Sequence, residues 1–262
     1  MIRYFISDLH LSDKRPDLIR AFVQMTQYFI QEEQESELYI LGDFYEAWIG
    51  DDFKADWNDE IETALRALSS TSVKVYFLHG NRDFLIGQDW LHRVGAQLID
   101  EQTKLDLDNG SILLSHGDEY CLEDVEYQKF RTMVRSPAWQ AHILSLPLEQ
   151  RIALAAQLRN DSKTMASDKS MAIMDVTESA VIDSLNSHHC HSMIHGHTHR
   201  PNTHKDSGEL RCVLGDWDEF IWLASIEENT YIQKQASVES FSEQGMTVLQ
   251  IVHLETLRRE LS

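Results

Sequence analysis

The chain has 262 residues, 42% of them hydrophobic, enough to bury the core of one large domain or of a domain with an insertion. Its 43 acidic against 23 basic residues leave a formal charge of −20, which repels a phosphate backbone and excludes bulk binding to nucleic acid. Three scattered cysteines form no CxxC pair, no stretch approaches the roughly 20 apolar residues of a membrane span, and the first residues lack the long apolar core of a signal peptide; the expectation is a soluble cytoplasmic protein.

The first apolar run, IRYFIS (2–7), is β-prone and stops on Asp8. Residues 17–36 carry Leu18, Phe22, Met25, Phe29 and Ile30 at helical spacing. ELYILGD (37–43) predicts a second buried strand ending on Gly42-Asp43, residues 57–70 an amphipathic helix with an acidic first turn, and VKVYFLHGN (73–81) a third strand. That β-α-β-α-β order predicts a mostly parallel sheet flanked by helices. KLDLDNGSILLSHGD (104–118) predicts a hairpin with Asn109-Gly110 as its turn and Ser115-His116 at its far end. Residues 122–187 are helical in pattern. SMIHGHTHRP (192–201) predicts a short strand ending in histidines, and residues 210–217, 220–226, 230–236 and 246–252 are β-type.

Five strand ends share a property. Asp8-Leu9-His10, Gly42-Asp43, Gly80-Asn81, Ser115-His116 and Gly196-His197-Thr198-His199 place Asp, Asn or His where an apolar run stops. Open α/β sheets bind ligands beyond the carboxyl ends of their strands. Gathered there, Asp8, His10, Asp43, Asn81, His116, His197 and His199 are oxygen and nitrogen donors without a thiolate, a mix that suits Mn²⁺, Zn²⁺ or Fe²⁺. Seven donors are too many for one such ion with open positions and suit two sharing a carboxylate. A single Asp-x-His or one His pair is more often a cap, a turn or a solvated surface feature; His188, His189 and His191, set among polar residues, are examples. Ordered recurrence at strand ends outweighs that reading.

DLH, GDFYEAW, GNRD, SHGD and GHTH, in this order, resemble the motifs of the calcineurin-like metallophosphoesterases. ILGDFYEAWIGDD, FLHGNRDFLIG, YQKFR, KSMAIMDV and IHGHTHRP narrow the resemblance, over about residues 1–216, to the UDP-2,3-diacylglucosamine pyrophosphatases of lipid A biosynthesis. The resemblance implies a four-layer α/β sandwich of mixed sheets flanked by helices. Residues 1–121 and 171–262 would form the core and 122–170 a helical, lipid-binding cap. It implies two divalent ions, Mn²⁺ by preference: Asp8, His10, Asp43 and His199 would hold one, and Asp43, Asn81, His116 and His197 the other, with Asp43 bridging. Asn81, Arg82, Asp124, Ser162, Lys169 and His197 would contact substrate; Ala166 stands where the family has a further contacting Asn. Asp43, Asn81, Arg82 and His197 would be catalytic. The reaction implied is attack of a metal-activated water on the α-phosphorus, giving UMP and 2,3-diacylglucosamine 1-phosphate (lipid X). The setting implied is the cytoplasmic face of the inner membrane of a Gram-negative bacterium, with the enzyme peripherally attached. A soluble nucleotide pyrophosphatase, another phosphoesterase on the same two-metal site, or a non-catalytic scaffold are the alternatives.

Two features extend this reading. A guanidinium fork matches phosphate oxygens, so Arg82 is expected to face phosphate, and Asp83 either orients a neighbouring ligand or caps the turn. In 122–170 the dense apolar content (Trp139, Ile143, Leu144, Leu146, Leu148, Ile152, Leu154, Ala155, Leu158) accompanies Arg131, Arg135, Arg151, Arg159, Lys163 and Lys169. The basic residues suit an anionic lipid at a membrane surface, although Arg151 and Arg159 fit a solvated helix face equally well.

Overall fold

The computed structural model describes residues 1–167, 173, 175–206 and 208–257; the side chains of 161–167 and of residue 206 lie outside it. In chain order the elements are β1 (Ile2–Ile6), α1 (Pro16–Gln31), β2 (Ser36–Leu41), α2 (Asp56–Ser69), β3 (Val73–Leu78), α3 (Gln88–Val94), β4 (Ala96–Leu98), β5 (Gln102–Leu107) and β6 (Gly110–Ser115). There follow α4 (Val125–Val134), α5 (Pro137–Leu144), α6 (Leu148–Ser167), α7 (Glu178–His188), β7 (Ser192–His195), β8 (Asn202–Asp206), β9 (Glu209–Val213), β10 (Phe220–Glu227), β11 (Thr230–Ser237), α8 (Val238–Gln244) and β12 (Gln250–Thr256).

Two mixed sheets form. One has seven strands in the order β12-β11-β10-β1-β2-β3-β4, parallel from β1 to β4; the other has five, β5-β6-β7-β9-β8, parallel through β6, β7 and β9. Alternation of side chains along each strand builds the layers. Phe5, Tyr39, Leu41 and Leu78 from the first sheet meet Ile112, Leu114, Ile194 and Cys212 from the second. The opposite face of the first sheet, with Leu38 and Ile40, buries Phe22 and Met25 of α1 and Ile61 and Leu65 of α2. Leu113 and Met193 on the outer face of the second sheet pack under Val181 and Leu185 of α7. Helix, sheet, sheet, helix is therefore the order of layers, as expected. The carboxyl ends of β1, β2, β3, β6 and β7 lead into one set of loops that hydrogen-bond to one another: Asp8 N–H donates to Gly42 C=O at 3.1 Å, His10 N–H to Asp43 C=O at 3.0 Å, and Gly196 N–H to His116 C=O at 2.9 Å.

Three details depart from the sequence reading. Leu107 pairs with Gly110, so the hairpin turn is residues 108–109, and Gly110, at φ 147°, opens β6 instead of sitting in the turn. The last strand starts later than residue 246, because Gly245–Val248 coil into a 3-10 turn; pairing with β11 then fixes Gln250–Thr256. Helices α3 and α8, the three-residue β4 and strand β8 were not foreseen. Trp90 of α3 is fully buried with Val94 at its side, and β4 is too short to carry an alternating pattern.

The helices between 122 and 167 are docked through ion pairs. Arg131 binds Asp118 and Glu101 at 2.8 Å each. Arg135 meets Glu101 at 3.1 Å, donates to Gly80 C=O at 2.9 Å and lies over the Phe84 ring. Arg151, 4% exposed, pairs with Asp52 and donates to Ile49 C=O at 2.6 Å, and Arg159 pairs with Glu46. These four cations are committed to core partners. They do not form the basic lipid-facing surface read from their density in the sequence, and Arg151 and Arg159 are not a solvated face. The apolar residues divide as well: Ile143 is buried and Trp139, Leu146 and Leu154 pack against the core, whereas Leu144 and Ile152 are exposed.

Candidate metal centre

The seven predicted ligands converge at the shared loop set, and the backbone there is unusual. Asp8, His10, Asp43, His197 and His199 all adopt left-handed φ between 49° and 66°. Each such non-glycine residue costs about 1 kcal/mol or more, and the conformation persists only where neighbours over-determine it. Here it turns a side chain back over the strand end it has just left. Glycines make the room. A Cβ on Gly80 would collide with the backbone nitrogen and carboxylate of Asp43, and one on Gly42 (φ 85°) with the backbone of Gly80.

Donor atoms lie at the spacing of neighbouring ligands on one ion. Bonds of about 2.1 Å that subtend 90–110° put adjacent donors about 3.0–3.4 Å apart. His10 Nε2 and His199 Nε2 are 3.3 Å apart, and His199 Nε2 is 3.4 Å from Asp8 Oδ1. On the other side His116 Nε2 is 2.9 Å from Asn81 Oδ1 and 3.6 Å from Asp43 Oδ1, and His197 Nδ1 is 2.9 Å from Asn81 Oδ1. Two compact groups result, Asp8-His10-His199 and Asp8-Asp43-His116. Asp8 is common to both, but its Oδ2 already accepts from Ser7 Oγ at 2.6 Å and His197 N–H at 2.9 Å. Its Oδ1 is buried without a hydrogen-bond partner. A buried carboxylate oxygen left unsatisfied among imidazoles fits a cation as the missing partner. The residues present therefore suit two divalent ions held by O and N donors.

Charge in this cluster is strongly coupled. Burial lowers His116, but Asp43, Asp8 and Asp118 outweigh it and raise the imidazole to about 9. Burial likewise opposes His199, and contacts with Asp216 and Asp8 raise it to about 10. His10 falls to about 3, and His197 to about 4 with His116 as second cause, both chiefly through burial. Burial lifts Asp43 to about 7 despite the opposing pull of His116, with Asp8 and Asp83 adding to the rise. Asp8 stays below the usual carboxylate range; burial works against it, but the contact with His199 and the charge of His116 prevail. Without an ion, protons on His116 and His199 take the place of cations.

The other predicted positions sort as follows. Arg82 donates its backbone N–H to Asp43 Oδ1 at 2.8 Å, while its guanidinium stands 3.9 Å from Asp43 Oδ2 with a buried, unpartnered Nε. Asp83 touches no donor of the site. Fully buried, it accepts from Phe44 N–H at 2.7 Å and Gly80 N–H at 2.8 Å, tying the loop of Asp43 to the loop of Asn81. It is thus a cap, but one that joins two loops. Asp124 caps α4, accepting from Tyr127 N–H at 3.0 Å. Ser162 and Ala166 lie on α6 with side chains outside the described residues, and Lys169 lies outside them altogether.

Sequence reasoning missed four neighbours. Glu46 lies 3.4 Å from His10 Nδ1, Asp216 3.2 Å from His199 Nδ1, Tyr127 stacks on His197 at 5.9 Å between ring centres, and Asp118 accepts from Tyr127 Oη at 2.5 Å. Glu46 and Asp118 lay inside the quoted GDFYEAW and SHGD motifs, and Asp216 follows an apolar strand in LGDW, the same signal that marked the ligands.

A layered α/β sandwich with two adjoining O/N metal cradles at its strand ends defines a class, and sequence comparison supports it: the calcineurin-like phosphoesterase family matches residues 3–201, and the chain belongs to that family. Within the class, the UDP-2,3-diacylglucosamine hydrolase of Marinobacter nauticus is 45% identical over 235 residues, 87% of this chain and 95% of that protein. The hydrolases so named from Chromohalobacter salexigens (45% identical; 83% of this chain, 89% of that one) and Stutzerimonas stutzeri (43%; 87% and 96%) are similar to it in the same way. The chain is a member of this hydrolase family.

Proposed function

We propose that the protein hydrolyses the pyrophosphate of UDP-2,3-diacylglucosamine to UMP and 2,3-diacylglucosamine 1-phosphate. The convergence of all seven donors beside the Arg82 guanidinium, 3.9 Å from Asp43, carries this reading, and near full-length similarity to hydrolases of that name supports it. Two divalent ions, Mn²⁺ in this reading, would supply Lewis acidity and a water of lowered pKa. Asp8, His10 and His199 would hold one and Asn81, His116 and His197 the other. Asp43 would serve both, as the family resemblance implies. Arg82 binds the phosphate oxygens, its fork held near the site by the backbone bond to Asp43. Tyr127, its ring 5.9 Å from that of His197 at a 30° tilt, helps to keep the imidazole beside the phosphate. In this reading Asp124, Ser162 and Lys169 contact the substrate, as the family resemblance implies.

Residues 122–170 act as the lipid-binding cap. Exposed Leu122, Val125, Met133, Leu144 and Ile152 are apolar side chains available for acyl contact, whereas Leu146 and Leu154 pack against the core. No described helix is long and apolar enough to cross a membrane. In this reading, as the family resemblance implies, the protein works peripherally at the cytoplasmic face of the inner membrane. The test is mass spectrometry of products from UDP-2,3-diacylglucosamine with Mn²⁺ and with chelator, for the wild type and for Leu144→Asp combined with Ile152→Asp. Release of UMP and the 1-phosphate only with metal is expected. The double variant should lose the acylated substrate while still cleaving a small chromogenic phosphodiester. Undiminished lipid hydrolysis in that variant sinks the cap assignment, and turnover in chelator sinks the metal mechanism.

A further inference from the structure

The two cradles are fixed unequally. His116 is 1% exposed, and its Nδ1 lies 2.9 Å from the Leu41 carbonyl, so packing and a backbone bond both hold its ring. His199 is 40% exposed, against 18% for His10 and 1% for His116, and it sits on a left-handed backbone at φ 54°. Packing alone leaves such a ring free to swing about its Cα–Cβ and Cβ–Cγ bonds. What faces its outer nitrogen is Asp216, with Oδ2 3.2 Å from Nδ1. Asp216 is itself placed by the chain: the next residue, Trp217, is 2% exposed and donates its N–H to the Asp8 carbonyl at 2.9 Å, tying this loop to the strand end that carries another donor. His10 in the same cradle has a comparable neighbour, Glu46 at 3.4 Å, but Glu46 is shared with Arg159 of α6. Among the described residues, Asp216 has His199 as its only ion-pair partner.

We infer that Asp216 is a positioning residue for His199, and that the Asp8-His10-His199 cradle, not its neighbour, depends on it for metal affinity. A carboxylate at Nδ1 keeps the proton on that nitrogen, points the Nε2 lone pair at the ion and makes it a stronger donor; loss of such a partner typically lowers metal affinity 10- to 100-fold. The inference rests on the dinuclear reading of the site.

The experiment titrates metal-free protein with Mn²⁺ by calorimetry and counts bound metal after gel filtration, in two backgrounds. His116→Ala leaves the Asp8-His10-His199 cradle as the better-formed one; His10→Ala leaves the other. In the His116→Ala background, Asp216→Ala is expected to weaken Mn²⁺ binding at least tenfold, and Asp216→Asn, which keeps an acceptor without charge, by less. Asp216→Glu should recover part of the loss. In the His10→Ala background none of these substitutions should matter. Equal weakening in both backgrounds, or in neither, overturns the inference. Wild-type protein that binds no Mn²⁺ would instead overturn the dinuclear reading beneath it.

Discussion

Asp83→Asn isolates the joint on which the site's geometry depends. The carboxylate uses both oxygens on backbone donors, Phe44 N–H at 2.7 Å and Gly80 N–H at 2.8 Å, with Tyr45 N–H further off at 3.4 Å. An amide of the same shape has one acceptor oxygen. Whichever way it is turned, its NH₂ faces one of those donors, and at a fully buried position no water replaces the lost bond. A buried donor left unpaired costs about 1–3 kcal/mol, and the hydrogen bond to a charged group that is lost contributes about 1.5–3 kcal/mol. The sum, about 2.5–6 kcal/mol, is a large share of the 5–15 kcal/mol typical of a folded domain. At about 2–4 °C per kcal/mol for a protein of this size, the melting temperature should fall by about 10 °C. The second effect is functional. Phe44 follows Asp43 and Gly80 precedes Asn81, so the variant separates two ligands and should bind Mn²⁺ more weakly even at temperatures where it stays folded. Thermal melts by circular dichroism and metal counting at 10 °C read the two effects. A variant that melts within 2 °C of wild type and holds its full metal complement would refute the claim that Asp83 couples these loops.

Arg82→Ala should lower kcat/KM about 100-fold, in line with loss of one charge-stabilising group. Metal content should not change, because the bond from Arg82 to Asp43 is made by the backbone; Arg82→Lys should recover only part, and loss of metal would show the side chain to be misassigned. The metal-free protein should lose stability with rising pH. His116 and His199, raised to about 9 and about 10 from an unfolded value of 6.5, contribute stability that is whole below about pH 6.5 and disappears as pH passes through those values. Saturating Mn²⁺ should flatten that slope, and binding at pH 8 should release about two protons, read by calorimetry in buffers of different ionisation enthalpy; an equal slope with and without metal contradicts the assignment. Arg151→Ala should leave the Ile49 carbonyl unpaired, lower stability by about 1–3 kcal/mol and speed hydrogen exchange in α6 ahead of the sheets. Uniform exchange across the chain would show that α6 is not anchored there.

Sequence alone determined the parallel β-α-β-α-β start of the fold and picked out the seven strand-end Asp, Asn and His residues that the structure brings together, whereas the four-layer sandwich came only as what the family resemblance implied. The first two are local signals: apolar runs with period two or 3.6 define strands and helices, and a strand that stops on Asp, Asn or His advertises its end. What the sequence could not determine was which polar residues answer which others across the fold. Asp83 reads as a ligand or a turn cap from its neighbours in sequence, and only the approach of the β2 loop, 39 positions away, made it a clamp. The arginines of 122–170 read as a lipid surface because composition shows charge but not partner; Asp52, Asp118 and Glu101 on the core neutralise them. Helix α3 is too short for periodicity to stand out, and it exists because Trp90 fills a site between Phe44, Tyr45 and Phe77. Asp216 lies 17 residues beyond His199 and meets it only through the return of β9 alongside β7. Backbone pattern is written in one dimension and can be read there, whereas the pairing of side chains is fixed by long-range packing, which brings together residues that no local pattern connects.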